Sequence, residues 1–138
     1  MPKVLGMVVG ALIVSVAWAA TAQKEPASTA AARQGRTLYV AYCASCHGSS
    51  GRGDGPASDS FRVRPADLTQ LAKQNGGVFV AERIQRTVDG RGVKAHGSIE
   101  MPVWGDVFRR REGLDDEAVK ARIEAIVRYL NSIQERAS

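Results

Sequence analysis

The segment Cys43-Ala44-Ser45-Cys46-His47 constrains this 138-residue chain more than any other feature. Its two thiols are three residues apart, so both project from one face of a helical turn, and a histidine follows them directly. The pattern C-x-x-C-H is the attachment site of a c-type haem, where each thiol forms a thioether to one porphyrin vinyl group. His47 then lies beneath the metal and supplies an imidazole ligand. The motif therefore predicts one covalent haem c with its iron.

Three other interpretations fit these residues less well. A thioredoxin-like redox pair also has the spacing C-x-x-C, but it lies near a βαβ pattern, and the chain has no run of strand-like alternation. A zinc site needs about four protein ligands, whereas His96 is the only other cysteine or histidine. A disulfide between Cys43 and Cys46 would close a very small strained loop and leave the adjacent histidine unexplained. The sequence therefore favours haem attachment.

The first 22 residues have the pattern of a secretory signal. One basic residue, Lys3, precedes an apolar run over 4–20, and Ala20-Thr21-Ala22 fits cleavage before Gln23. The run approaches the ~20 apolar residues of a membrane-spanning helix, so an uncleaved anchor is the competing interpretation. In both cases the haem domain lies outside the cytoplasm. We expect a periplasmic protein, which contacts the membrane only if the leader stays attached.

Cleavage after residue 22 leaves 116 residues, enough for one small domain. We expect a flexible polar segment over 23–28, a haem domain over 29–134 and a short tail over 135–138. Loss of Lys3 lowers the formal net charge from +5 to +4. A mildly basic protein suits an acidic docking partner as readily as a solvated surface. Nucleic acid is excluded as a partner, because the chain is exported and its few aromatic residues are scattered.

Helical patterns occupy both ends of the domain. A helix capped by Ser28 or Thr29 is predicted to deliver the chain to the cysteines. Gly35 interrupts it at a cost of about 1 kcal/mol relative to alanine, which indicates either a close crossing with another helix or a tolerated defect. Asp115 is predicted to cap the last helix. That helix carries a continuous apolar stripe, namely Val119, Ile123, Ile126, Val127, Leu130 and Ile133.

The middle of the chain has shorter helical signals. After a glycine-rich loop, Asp67 is placed to cap a short helix that runs to Gln74. A second helix is predicted over 78–88, where apolar residues recur at helical spacing.

The second iron ligand is predicted from the methionines. Met101 is the only methionine outside the leader, and it precedes a proline in the irregular segment 97–104. A thioether there suits the distal face of the haem. The alternative is that Met101 fills a gap in the core, the commonest use of methionine. His96 is the rival ligand, and two histidines would lower the potential relative to His/Met ligation.

Several motifs together resemble the monohaem class I cytochromes c of bacteria, and the likeness covers residues 29–134. They are Gly35, Tyr39, Cys43-x-x-Cys46-His47-Gly48, Gly53-Asp54-Gly55-Pro56, Pro65-Ala66-Asp67-Leu68, Met101-Pro102 and Tyr129 in the terminal helix. The resemblance implies an all-α fold of about four to five helices around one haem. It also implies that the first and last helices cross, with Gly35 and Tyr39 against Ile126 and Tyr129.

The same resemblance implies further site residues. The carbonyl of Pro65 is expected to accept the proton of His47. Arg64 and Trp104 are candidates to bind the haem propionates, through charge and an indole N–H respectively. Each of the two fits a surface or packing role equally well.

Function follows from the ligands. With both axial positions filled, the iron has no open site for a substrate, so we expect an electron carrier of positive potential and not an enzyme. Two alternatives stay open: a dedicated haem subunit of an exported dehydrogenase or oxidase, and a haem enzyme or gas sensor with a labile methionine. Redox proteins are the expected partners. A basic rim for docking is equally compatible with a solvated face; its candidates are Arg83, Arg86, Arg91, Lys94 and Arg109-Arg110-Arg111.

Overall fold

Five α-helices and three short 3₁₀ turns form the part of the chain described by this computed structural model, residues 27–91 and 101–135. The helices are α1 (Ala27–Tyr42), α2 (Ala44–His47), α3 (Ala81–Asp89), α4 (Trp104–Glu112) and α5 (Asp116–Ser132). The 3₁₀ turns are Ser58–Ser60, Leu68–Gln70 and Lys73–Asn75. These residues contain no strand, so the all-α prediction is confirmed.

Some predictions concern residues outside the described ranges. These are the leader over 1–22, most of the polar segment 23–28, Lys94, His96 and the last tail residues, 136–138. Among residues 27–91 and 101–135, no helix combines the length and apolar character needed to cross a bilayer.

The crossing of α1 and α5 is the centre of the fold. Gly35 is buried there, and a Cβ at this position would overlap the carbonyl oxygen of Ala125. Tyr39, one turn later, is fully buried, and its ring centroid lies 5.1 Å from that of Tyr129. Its hydroxyl donates to the carbonyl oxygen of Gly48 at 2.7 Å, which ties α1 to the residue after the haem motif. The glycine within the predicted helix therefore marks a close helix crossing.

The start and the buried face of α5 agree with the sequence pattern. The Asp115 side chain accepts a hydrogen bond from the backbone N–H of Ala118 at 2.8 Å, as expected of an N-cap. Asp116 and Glu117 place negative charge in the first turn, where the helix dipole favours it. The apolar stripe is buried from Val119 to Leu130, and only Ile133, just past the helix end, is half-buried.

Several predicted boundaries differ from the structure. The first helix is described from Ala27, so the predicted caps Ser28 and Thr29 fall within its helical span. Asp67 does cap, since its carboxylate accepts from the Thr69 backbone at 2.9 Å, but the segment after it forms two 3₁₀ turns and not one helix. The next helix begins at Ala81, because the backbone of Val80 is non-helical, with φ −89° and ψ 89°.

Helix α4 is absent from the sequence predictions, which treated residues up to Trp104 as irregular. Two signals pointed to it: Trp104 and Phe108 are four residues apart, and Gly113 terminates the helix with a φ of 68°. Phe108 is fully buried. Its ring lies 5.1 Å from Tyr42 and 5.8 Å from Trp104, measured between centroids, so α4 packs through aromatic contacts.

The chain after α5 is bound to the segment around residues 68–72. The Gln134 side chain donates to the carbonyl of Leu68 at 2.7 Å and accepts from the backbone N–H of Ala72 at 2.9 Å. The backbone N–H of Glu135 donates to the Thr69 carbonyl at 2.9 Å. The described chain after α5 therefore packs onto the domain through Gln134 and Glu135.

We expect the Glu112→Gln variant to lose stability relative to the wild type only above acidic pH. Hydrogen bonds from Tyr42 and then from Arg122 lower the pKa of Glu112 below its ordinary value of 4.5. A lowered folded-state pKa stabilises the protein above the unfolded pKa, and this stabilisation is lost as pH falls through the folded value. The free energy of unfolding of both proteins, measured across this range, checks the expectation.

The matched control is Tyr42→Phe, which removes the hydroxyl that is the largest cause of the lowered pKa. It should show part of the same acid dependence. A difference between wild type and Glu112→Gln that stayed constant down to pH 2 would contradict the assignment.

Candidate haem site

The haem motif begins where α1 ends. The carbonyl of Cys43 accepts from the backbone N–H of His47 at 2.9 Å, so α2 is a single helical turn that places both thiols and the imidazole together. No disulfide joins Cys43 and Cys46, and burial raises the pKa of the Cys43 thiol to about 12. Residues 27–91 and 101–135 contain no group of three or more His, Cys, Asp or Glu side chains suited to a metal ion.

A cavity of about 560 Å³ opens beside this turn. All seven predicted site residues line it: Cys43, Cys46, His47, Arg64, Pro65, Met101 and Trp104. The remaining lining is mostly apolar and comes from α1, α3, α5 and the segment that leads into the Leu68–Gln70 turn. It includes Tyr39, Val63, Leu68, Ile84, Val88, Ile126 and Leu130. The fold thus brings the thiols, the imidazole and the thioether to the wall of one apolar cavity.

The partner of His47 differs from the prediction. Its Nδ1 lies 3.0 Å from the carbonyl oxygen of Ala66, the residue after Pro65. A carbonyl oxygen can only accept, so Nδ1 carries the proton and Nε2 is left with the lone pair that a metal needs. The predicted role of the Pro65 carbonyl is therefore wrong, although Pro65 itself lines the cavity. Pro65 restricts the backbone at this point, and the carbonyl that bonds the His47 ring belongs to the next residue. The sequence Pro65-Ala66-Asp67-Leu68 does not specify which of the two carbonyls faces the imidazole.

Arg64 and Trp104 occupy different surroundings at the cavity wall. The Arg64 Nε–H donates to the carbonyl oxygen of Gly53 at 3.1 Å, which fixes the guanidinium beside the glycine-rich loop. The Trp104 ring lies 5.5 Å from the Tyr42 ring in an edge-to-face arrangement. Trp104 thus packs against Tyr42, and both Arg64 and Trp104 border the space where a cofactor would lie, so their contact with the propionates stays a prediction.

Sequence reasoning missed two contributions to the site. The Ala66 carbonyl is a backbone group, so no residue type at that position signals its role. Tyr42 also lines the cavity and contacts the ring of Phe108 in α4, and its position directly before Cys43 is the one sequence signal for this role.

The residues fit a c-type haem. Two adjacent thiols would hold the group covalently, and a histidine with a backbone-bonded Nδ1 would bind its iron. The cavity volume lies within the ~300–1,000 Å³ typical of cofactor sites, and its apolar walls suit a flat porphyrin. A small all-α domain with this motif on the wall of an apolar cavity defines a c-type cytochrome.

Comparison with known families gives the same class. The family model described as Cytochrome C oxidase, cbb3-type, subunit III matches residues 30–130. The chain therefore belongs to this family of cytochrome c domains, which carry covalent haem c and transfer electrons. The sequence-based resemblance to class I cytochromes c is confirmed, and so is the haem c prediction. No curated protein and no solved structure matches the chain.

Proposed function

We propose that the protein is a one-electron carrier whose haem iron is bound by His47 and Met101. The observation that carries this proposal is the presence of both side chains on the wall of the same apolar cavity. A bound haem supplies the reversible one-electron change between ferrous and ferric iron. With an imidazole and a thioether occupying both axial positions, no site is left for a substrate.

The chain's own residues tune this function. The hydrogen bond from His47 to Ala66 fixes the ring orientation and increases its strength as a ligand. The apolar walls from α3 and α5 exclude water, which disfavours the net charge of ferric haem and raises the potential. Arg64 and Trp104 are our candidates to bind the propionates, since both border the cavity.

A spectroscopic experiment tests the ligand assignment. The ferric protein is expected to show the methionine-to-iron charge-transfer band at the red edge of its visible spectrum. The ferrous protein is expected not to bind carbon monoxide. A missing band together with rapid carbon monoxide binding would contradict a carrier and favour a haem enzyme or gas sensor.

A second candidate is a dedicated haem subunit of an oxidoreductase complex. The description of the matching family model, an oxidase subunit, favours it. Gel filtration of a native extract separates the two: a free carrier elutes as a small monomer with its colour, whereas a subunit elutes with larger partners.

We also propose export to the periplasm with removal of residues 1–22. The support is the signal pattern in the sequence together with the family, whose cytochrome c domains are exported. Mass spectrometry tests it: the mass of residues 23–138 plus one haem indicates cleavage and covalent attachment together. The mass of the whole chain plus one haem would favour the anchor.

Several arginines of the candidate docking rim form ion pairs. Arg91 and Arg109 form ion pairs with Asp116, and Arg110 lies 3.8 Å from Asp106, so these charges are partly neutralised. Lys94 lies outside the described residues, and Arg83, Arg86 and Arg111 have no ion pair within the described ranges. Of these three, Arg83 and Arg86 lie on α3, which also lines the cavity through Ile84 and Val88. We propose that these two arginines steer an acidic redox partner towards the haem edge.

We expect the Arg83→Gln/Arg86→Gln variant to accept electrons more slowly from an acidic partner at low salt. The rate difference from the wild type should shrink as ionic strength rises, because the Debye length falls to ~8 Å at 0.15 M. Stopped-flow rates over a salt series measure this. The control, Arg128→Gln, changes an exposed arginine of α5 that pairs with Glu124 and should leave the salt dependence unchanged. A wild-type rate indifferent to salt would contradict steering.

A further inference from the structure

Asp89 and Arg91 form a bidentate ion pair at the end of α3. We call this pair the Asp89–Arg91 fork. Arg91 Nε lies 2.7 Å from one carboxylate oxygen of Asp89, and Nη2 lies 2.9 Å from the other. The backbone N–H of Arg91 also donates to this carboxylate, at 3.2 Å. The two side chains are only 25% and 31% exposed. Fork-to-fork geometry and partial burial make this pair stronger and better defined than an ordinary surface ion pair.

The fork is in direct contact with the first turn of α4. Gly105 is buried there, and a Cβ at this position would overlap both Asp89 Oδ1 and Arg91 Nε. The absence of a side chain thus lets the α4 backbone lie directly on the ion pair. The third Arg91 nitrogen donates to Asp116 at 2.9 Å, which links the fork to the start of α5.

Asp116 contributes less than the Asp89–Arg91 fork to fixing the position of α4. Its side chain is 66% exposed, although it pairs with both Arg91 and Arg109. Exposed pairs of this kind stabilise by little, because water screens them. The contact that fixes the beginning of α4 is therefore the one between Gly105 and the fork.

Met101 lies immediately before this anchored turn. Only two residues separate it from Trp104, where α4 begins, and such a short connection spans at most about 10 Å. A displacement of the first turn of α4 therefore moves the Met101 side chain at the cavity wall. His47, in contrast, is positioned by α2 and the Ala66 carbonyl, whereas the residues that follow Met101 lead to α4. The hydrogen bonds of the fork go to its own two residues and to Asp116, not to α2 or Ala66.

We propose that Asp89 and Arg91 are positioning residues for the axial methionine: the fork, through its contact with Gly105, holds α4 where Met101 reaches the iron. This inference rests on the His47/Met101 ligation proposed above. Neither Asp89 nor Arg91 is among the residues that line the cavity, and Gly105 is the point where α4 meets the fork, so the proposed action on the ligand passes through the backbone of α4.

Three variants of the full-length haem protein test the proposal: Asp89→Asn, Arg91→Gln and Gly105→Ala. Each should weaken the methionine-to-iron charge-transfer band. Asp89→Asn and Arg91→Gln should also raise the affinity of the ferric protein for added imidazole by about tenfold or more, because loss of a charge-assisted hydrogen bond shifts an equilibrium by that order. Gly105→Ala should raise the same affinity because its methyl group displaces the first turn of α4 from the fork. Gly105→Ala leaves every charge in place, so its effect reports the displacement of α4 without a change in the electrostatics of the fork.

Val127→Ala is the matched control. Val127 is buried in α5 at 2% exposure and is not among the residues that line the cavity. Its truncation lowers the global free energy of unfolding and should leave the band and imidazole affinity at wild-type values. Wild-type imidazole affinity in Asp89→Asn and Gly105→Ala would overturn the proposal. The proposal would also be overturned if Val127→Ala raised the imidazole affinity as much as the fork variants do, at an equal loss of unfolding free energy.

The wild-type protein distinguishes the two levels of failure. A wild type without the charge-transfer band contradicts the proposed ligation itself. A wild type with the band, whose three variants keep it unchanged, contradicts the positioning role alone.

Discussion

Replacing Met101 with alanine is expected to abolish the charge-transfer band, to open the iron to carbon monoxide and to lower the reduction potential sharply. A thioether stabilises ferrous over ferric iron, so its removal favours the oxidised state. Axial ligands set haem potentials over a range of about 0.8 V, and we expect this variant to move by a sizeable part of it. Spectroelectrochemical titration and carbon monoxide binding measure the two effects.

Val103→Ala is the control for this prediction. Val103 follows Met101 by two residues and is 37% exposed, so its truncation perturbs the same segment without removing the thioether. Its spectrum and potential should match the wild type. A Met101→Ala protein with an unchanged band and potential would contradict methionine ligation. Loss of the native spectrum in His96→Ala would then support the rival histidine ligand.

Gly35→Ala is expected to destabilise the protein by about 3 kcal/mol, despite the better helix propensity of alanine. Propensity alone predicts a gain of about 1 kcal/mol in a helix interior. The added methyl, however, overlaps the backbone carbonyl of Ala125, which cannot move without separating α1 from α5. Overpacking of this kind costs ~1–3 kcal/mol or more and outweighs the propensity term. Denaturant titration gives the free energy of unfolding.

Gln34→Ala is the neighbouring control, at an exposed position of the same helix. Its stability should stay within about 0.5 kcal/mol of the wild type. A Gly35→Ala protein more stable than the wild type would show that the glycine is a tolerated defect, the other interpretation that the sequence allowed.

The helix crossing also matters for the cofactor. Helix α1 leads directly to Cys43, and α5 contributes Ile126 and Leu130 to the cavity wall. Separation of the two helices would therefore widen the cavity and admit water. We expect Gly35→Ala to lower the reduction potential as well as the stability, since water near the iron favours the charged ferric state.

Local patterns were enough for much of the fold and the site. The C-x-x-C-H motif acts within one helical turn, so its chemistry needs no tertiary information. The Asp115 cap and the α5 stripe are also local, because they depend on hydrogen bonds and spacing within one helix. Met101 is a candidate by residue type alone, and the structure places it on the wall of the apolar cavity, where its ligation stays a prediction.

Features that depend on backbone register were not predictable in this way. The choice of Ala66 over Pro65 as partner of His47 depends on how the loop lies against α2. Helix α4 has weak local signals, and it is stabilised by aromatic contacts with Tyr42 and by the fork beneath Gly105. The sequence pattern assigns Arg91 to a solvated basic surface, whereas in the structure it binds the carboxylates of Asp89 and Asp116.

The sequence by itself determined the cofactor and the helices with strong periodicity, and it predicts the attachment points, because covalent chemistry and helix caps act over a few residues. Only the tertiary structure decided which carbonyl orients the imidazole, which helix follows the methionine and what that helix packs against. Those contacts join residues far apart in the chain, and their geometry depends on the packing of whole helices against one another.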